Sequence, residues 1–157
     1  MGDQIDADAP YLENLWFNSV VDETTGNIQY TAYAKVRDNI SGVIFGHGRT
    51  HLRMCSPSGA HSVYASFNKL ESGTLNDGII STTFTIPKNS EPGQWSVNMW
   101  GDSPMFEDAV GNRRIYSADQ LRAIGISPTF TVNSDTPDLD APYLENLWFN
   151  SVVDETT

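Results

Sequence analysis

The sequence predicts an all-β fold in which two antiparallel sheets pack face to face. Short segments of alternating apolar and polar residues recur along the chain, and this period of two is typical of half-buried strands. Clusters of Gly, Pro, Asn and Asp separate the segments and predict turns. One helical signature stands out from Ser117 to Gly125, where Ser117 and Gln120 have the spacing of a capping box.

Seven strands are predicted, and at this spacing they indicate an immunoglobulin-like β-sandwich with one short helix before the last strand. The clearest alternation lies in the second strand, where Tyr30 and Val36 share a buried face and Lys35 faces water. In the fifth strand, Ile80, Phe84 and Ile86 are predicted to be buried together. The predicted strands cover residues 11–21, 28–37, 43–54, 61–70, 79–86, 94–100 and 129–133.

The chain contains an identical internal repeat. Residues 8–25, DAPYLENLWFNSVVDETT, recur letter for letter as residues 140–157, at an offset of 132 residues. The identity includes predicted surface positions such as Glu13 and Asn18, which a shared fold alone does not fix. We therefore expect one unit of a tandemly repeated protein, followed by the first strand of the next unit, and 132 residues is an ordinary domain size.

This repeat suggests four segments. Residues 1–7 are expected to be a tag remnant and N-terminal linker, since Met1 and Gly2 look like an expression start. Residues 8–133 form the Ig-like module. Residues 134–142 form an acidic linker that Pro137 and Pro142 stiffen. Residues 143–157 form the first strand of the next repeat.

Charge and motifs exclude several classes of function. The net charge is −11, with 20 acidic against 9 basic residues, which opposes binding to nucleic acid and to anionic lipid. No apolar run reaches the roughly 20 residues of a membrane helix, so no membrane insertion is expected. No nucleophile motif or phosphate-binding loop is present, so we predict no enzymatic activity. Cys55, the single cysteine, is predicted to be buried and unreactive.

Acidic residues cluster in segments that an Ig-like sandwich brings to its two ends, and in a tandem array the bottom of one module meets the top of the next across the linker. Like charges placed together repel unless a cation bridges them, and Ca²⁺ takes six to eight oxygen ligands. The alternative is a set of solvated acids and Asx turns. The predicted metal ligands are Asp6, Asp8, Asp38, Asp102, Glu107, Asp108, Asn112, Asp138 and Asp140.

Aromatic side chains suggest a second kind of site. Trp100, Tyr33 and Phe106 are predicted to have a wet face that would stack on sugars, unless the long segment after the sixth strand covers them. His47 and His51 lie four residues apart in the third predicted strand, about 13 Å along an extended chain. At that separation they would not share a metal.

Several motifs resemble a bacterial Ig-like module of large secreted and surface proteins. They are Asp8-Ala9-Pro10, Asp38-Asn39-Ile40-Ser41-Gly42-Val43, Ser56-Pro57-Ser58-Gly59, Ser72-Gly73-Thr74-Leu75-Asn76-Asp77-Gly78, Ser90-Glu91-Pro92-Gly93-Gln94-Trp95 and Asp108-Ala109-Val110-Gly111-Asn112. The resemblance covers most of residues 8–133. It implies a spacer in a repeats-in-toxin-type adhesin or biofilm protein, located outside the cell, with calcium rigidifying the joints.

Together these observations favour a structural or adhesive extracellular repeat module that Ca²⁺ rigidifies at its joints. The alternative is a carbohydrate-binding accessory module of a secreted protein, with a glycan as its partner. A structural repeat module would have neighbouring repeats of the same chain as its partners. The segment from Tyr143 to Val153 would be either disordered or exchanged for residues 11–21 of another molecule, giving strand-swapped self-association.

Overall fold

The computed structural model of the protein describes residues 5–133 and 141–151, which contain ten strands and one helix. The elements are β1 (Tyr11–Val21), β2 (Ile28–Arg37), β3 (His51–Cys55), β4 (Ser62–Ser66), β5 (Lys69–Gly73), β6 (Asp77–Ile86), β7 (Gly93–Ser96), β8 (Met105–Glu107), β9 (Arg113–Ile115), α1 (Ala118–Ala123) and β10 (Thr129–Val132). One sheet has the order β1-β2-β6-β5, and the other has the order β10-β7-β3-β8-β9 with β4 also paired to β3. The predicted all-β sandwich with a helix before the last strand is confirmed.

The first sheet is built around β2, whose whole length pairs with β1 on one side and β6 on the other. The predicted alternation is confirmed, because Tyr30 and Val36 are buried while Lys35 is exposed. Ile80 and Phe84 of β6 add to the same buried face. β1 forms an outer edge of this sheet, so its outward backbone groups have no strand partner among the described residues.

The core lies between the two sheets and is rich in aromatic rings. Tyr30, Phe84, Phe130 and Phe17 form one cluster, with the Tyr30 and Phe84 rings stacked at 5.5 Å and the Phe17 and Phe130 rings stacked at 4.7 Å. Fully burying one large apolar side chain contributes about 1.5–3 kcal/mol. The buried rings therefore stabilise the sandwich, whose strands hold the loops at its ends in place.

The third and fourth predicted strands differ from the structure. Residues 43–50 are irregular apart from a bridge at Val43, because Gly46 and Gly48 have φ values of +139° and +76° that an extended strand does not use. β3 therefore begins only at His51. The predicted strand over residues 61–70 is two strands, because the chain changes sheets between β4 and β5.

The segment after β7 also differs. β7 ends at Ser96, and Trp100 lies in an exposed turn instead of a strand. The β8–β9 hairpin that follows was not predicted, since strands of three residues are too short to show an alternating pattern. β7 and β8 both pair with β3, near its Cys55 and His51 ends respectively.

The helix follows its sequence signal closely. The Ser117 hydroxyl accepts the backbone N–H of Gln120, and the Gln120 side chain accepts that of Ser117, which confirms the capping box. Within the described ranges no helix is long and apolar enough to cross a membrane.

Residues 141–151, which repeat part of β1, are exposed and form no strand. The predicted linker residues 134–140 and the end of the repeated segment, residues 152–157, lie outside the described residues.

Candidate cation site at one end of the sandwich

Three acidic side chains from distant parts of the chain meet at one end of the sandwich. Asp6 precedes β1, Asp38 follows β2 and Asp108 follows β8, and one carboxylate oxygen from each lies within 4.8 Å of the others. We call this group the acidic triad. Its members come from the three segments that the sequence predicted to gather at this end.

The loop after β2 holds Asp38 in a fixed position. Asp38 Oδ2 accepts the backbone N–H of Ile40 at 3.3 Å and that of Gly42 at 2.7 Å. Gly42 has a φ of +85°, a left-handed conformation that glycine adopts without strain. From the neighbouring loop, Asn76 Nδ2 donates to the carbonyls of Asp38 and Ile40. These bonds within the protein are enough to orient the Asp38 carboxylate.

The turn between β8 and β9 holds Asp108 in a similar way. Asp108 Oδ1 accepts the backbone N–H groups of Val110 at 3.1 Å and Asn112 at 2.9 Å, and its Oδ2 accepts Asn112 Nδ2 at 2.8 Å. Gly111, with a φ of +95°, allows the turn to close. The amide of Asn112 also donates to the backbone carbonyl of Asp6 at 2.9 Å.

The N-terminal segment is fastened to both loops through its own acids. Asp6 Oδ2 accepts the backbone N–H of Ser41 at 3.0 Å. Asp8, which is exposed, accepts the side-chain amide of Asn39 at 3.3 Å. The N-terminal segment before β1 is therefore attached to the sandwich next to the triad.

The electrostatics of the triad are unbalanced. Asp38 is 3% exposed and Asp108 is fully buried. Asp38 Oδ1 and Ser41 Oγ are buried without a hydrogen-bond partner. The ion pairs formed among the described residues engage other acids and do not reach the triad. Buried carboxylates that lie close together without a positive charge are unfavourable, so the arrangement suits a bound cation.

The donor set determines which cations the site would suit. All of the ligand atoms offered by the triad are carboxylate oxygens, which hard cations such as Ca²⁺ prefer. No His or Cys belongs to the group, and Zn²⁺ is usually bound through those residues. The alternative, in which these acids serve Asx turns, explains part of the arrangement, because Asp38 and Asp108 both accept backbone N–H groups of their own loops. It does not explain Asp38 Oδ1, which has no hydrogen-bond partner.

No family model, curated protein or solved structure matches this chain. The resemblance to a bacterial Ig-like module therefore stays a prediction.

The structure places two other predicted ligands away from the triad. Glu107 is fully buried and accepts hydrogen bonds from Arg49 and from Arg113, the latter at 2.7 Å. Burial by itself raises the pKa of Glu107, but the hydrogen bonds and charges of the two arginines outweigh it and hold the pKa below its ordinary value. Asp102 pairs with Arg53 at 3.2 Å. Arginine already balances both acids, so we leave them out of the proposed ligand set.

The remaining predicted ligands divide into two groups. Asn112 and Asp8 lie beside the triad, as described above, whereas Asp138 and Asp140 lie outside the described residues. Sequence reasoning missed Ser41, whose only signal was its position between Asp38 and a glycine in a turn. Such serines usually serve the turn itself.

The aromatic and histidine predictions had mixed outcomes. Phe106 is fully buried in the core, so it has no face for a ligand, whereas Trp100 is 52% exposed. Tyr33 stacks on Trp16 with 5.4 Å between ring centroids. The rings of His47 and His51 both contact Tyr64, and they are closer than predicted because residues 43–50 are not an extended strand. Cys55 is buried as predicted, and burial raises the pKa of its thiol.

Proposed function

We propose that this chain is a structural repeat module of an extracellular protein, and that a Ca²⁺ ion at the acidic triad fastens the linker to the sandwich. The observation that carries the proposal is the orphaned Oδ1 of Asp38, a buried oxygen of a carboxylate that lies near those of Asp6 and Asp108. A cation would satisfy that oxygen and offset the repulsion among the three charges.

Calcium fits this site better than magnesium does. Ca²⁺ accepts irregular sets of six to eight oxygens, whereas Mg²⁺ demands near-ideal octahedral geometry and keeps several waters. Two of the three triad residues, Asp38 and Asp108, are buried, and Ser41, whose backbone N–H bonds to Asp6, has a buried hydroxyl without a partner. Extracellular modules bind Ca²⁺ with dissociation constants of about 10⁻⁴–10⁻³ M, which agrees with the predicted location.

The internal repeat connects this site to neighbouring units. The offset of 132 residues maps Asp6 onto Asp138 and Asp8 onto Asp140. Asp138 would therefore be the linker ligand of the following repeat, in the role that Asp6 has here. An ion held by both the linker and the body of the next sandwich would restrict bending at every joint, which suits an extended adhesive protein.

The test compares thermal unfolding of the full chain in Ca²⁺ and in chelator. At a free Ca²⁺ concentration about 100 times Kd, one site adds about 2.7 kcal/mol to the free energy of unfolding. Asp38→Asn should lose that gain. In chelator the same variant should be at least as stable as the parent, because it removes one of three neighbouring charges and an amide N–H can occupy the orphaned position.

Asp119→Asn is the matched control, since Asp119 is an exposed acid on the helix, and it should retain the full gain. Melting that Ca²⁺ leaves unchanged, or an undiminished gain in Asp38→Asn, would refute the site. An equal gain with Mg²⁺ would refute its assignment to Ca²⁺.

A further inference from the structure

The second sheet carries an open cleft that is separate from the acidic triad. Its volume is about 590 Å³. Its polar and aromatic lining residues are His47, His51, Arg53, Tyr64, Asp102 and Arg113. We call this feature the basic cleft. The β8–β9 hairpin takes part in both sites: it places Glu107 and Arg113 beside the cleft, and Asp108 and Asn112 at the triad.

The charge of the cleft is opposite in sign to that of the whole chain. The chain has a net charge of −11, yet two arginines, Arg53 and Arg113, line the cleft against one acid, Asp102. Glu107 lies buried beside it and neutralises part of the charge of Arg49 and Arg113. Arg49, Arg53 and Arg113 carry three positive charges against the two negative charges of Asp102 and Glu107. One positive charge is left over, so a ligand matched to this surface carries negative charge.

Two aromatic rings flank Arg53 at the cleft: Tyr64 lines the cleft, and Trp100 stands next to its lining residues. The guanidinium of Arg53 lies 5.9 Å from the ring centroid of Tyr64 and 5.0 Å from that of Trp100, and Asp102 holds it at 3.2 Å. The Tyr64 hydroxyl accepts the backbone N–H of Gly48 at 2.9 Å. These contacts pre-organise a planar charged donor between two aromatic rings, and Arg is suited to paired hydrogen bonds with a carboxylate.

His51 adds a polar group of defined direction. Its Nδ1 lies 2.8 Å from the backbone carbonyl of Arg49. Because that oxygen can only accept, Nδ1 carries the proton, and in the neutral ring Nε2 is left as an acceptor for a hydroxyl. The cleft thus combines cationic donors, polar side chains and aromatic surface.

We propose that the basic cleft binds an anionic saccharide of the uronic acid class. The carboxylate of a uronate would pair with the arginines, its hydroxyls would bond to His51 and Asp102, and the apolar face of its ring would rest on Trp100 or Tyr64. Single-stranded nucleic acid also combines charge with stacking rings, but Asp102 and His51 offer acceptors for several ligand hydroxyls, which a sugar ring supplies and a DNA strand does not. The proposal is independent of the cation site.

The experiment is isothermal titration of the full chain with a galacturonic acid hexasaccharide and with a neutral glucose hexasaccharide, in chelator so that Ca²⁺ cannot bridge ligand and protein. The uronate should bind and the neutral sugar should not, and added salt should weaken binding. Trp100→Ala and Arg53→Gln should each weaken binding by about tenfold or more. Trp148→Ala removes an exposed tryptophan from residues 141–151 and should leave binding unchanged.

Thermal melts of the variants show whether each remains folded, and Trp100→Ala provides the test if Arg53→Gln does not fold. The proposal is overturned if the uronate does not bind, if the neutral hexasaccharide binds equally well, or if single-stranded DNA binds more tightly than the uronate. Unchanged affinity in a folded Trp100→Ala variant, or loss of affinity in Trp148→Ala, would also overturn it.

Discussion

Glu107 shows at the scale of one residue how a buried charge is accommodated in this fold. Its carboxylate is fully buried, and Arg49 and Arg113 reach it from the loop before β3 and from β9. The two arginines are themselves about half exposed, so water still screens part of the interaction. The group therefore ties three segments together without requiring two fully buried charges.

The lowered pKa of Glu107 predicts that the free energy of unfolding decreases in acid. A carboxyl whose pKa falls on folding stabilises the native state above its ordinary value of 4.5, and this contribution is lost as the pH drops through the folded-state pKa. Glu107→Gln should reduce the free energy of unfolding at pH 7 by about 1–3 kcal/mol. The difference from the parent should shrink in acid below pH 4.5. Urea denaturation across this range measures it.

Glu13→Gln is the control for that measurement, because Glu13 pairs with Lys35 and Arg37 on the exposed face of the first sheet. Such surface pairs contribute about 0–1 kcal/mol. A Glu107→Gln deficit that stays constant from pH 7 into acid would show that packing, not charge, accounts for its effect.

At the scale of elements, the repeated segment shows how the same sequence behaves in two different surroundings. Leu15 in β1 is 7% exposed, whereas Leu147, at the same place in the repeated segment, is 65% exposed. The surrounding letters are identical. The difference arises because β1 pairs along β2 and covers the core, while residues 141–151 form no strand.

This comparison predicts unequal effects of one substitution. Leu15→Ala should lower the free energy of unfolding by about 2–5 kcal/mol, because it removes buried methyl groups and leaves a cavity. Leu147→Ala should change it by less than about 0.5 kcal/mol. Chemical denaturation of the two variants measures both values. Equal losses would mean that residues 141–151 also pack on a folded surface in solution.

At the scale of the whole molecule, residues 141–151 present apolar surface to water. The exposed side chains are Tyr143, Leu144, Leu147, Trp148 and Phe149. Exchange of this segment for β1 of another copy would bury no more surface than the monomer does, since the two sequences are the same. Tethering at high effective concentration favours a molecule's own β1. Self-association is therefore expected only at high protein concentration.

Deleting residues 141–157 tests this expectation. The parent should show a mass that rises with concentration in sedimentation experiments, because an exposed apolar segment favours pairing with another copy. The deletion variant should sediment as a monomer over the same range, with its melting temperature unchanged. Oligomers that persist after the deletion would show that another surface drives association.

The sequence by itself determined the features that depend on neighbouring residues. The alternation of β2, the capping box of α1 and the 132-residue offset can be read from local letters, because a strand face, a helix end and a repeat are each defined by spacing. The sequence also grouped the segments that carry Asp6, Asp38 and Asp108. It could not show that the chain changes sheets between β4 and β5.

Only the tertiary structure decided what each acid does. Glu107 and Asp108 are neighbours in the chain, yet one pairs with two arginines and the other joins the acidic triad. Successive side chains of an extended segment point to opposite faces, and the partners on each face come from loops that are far away in sequence. The sequence supplies the charges, but packing determines which of them are left without a counter-charge.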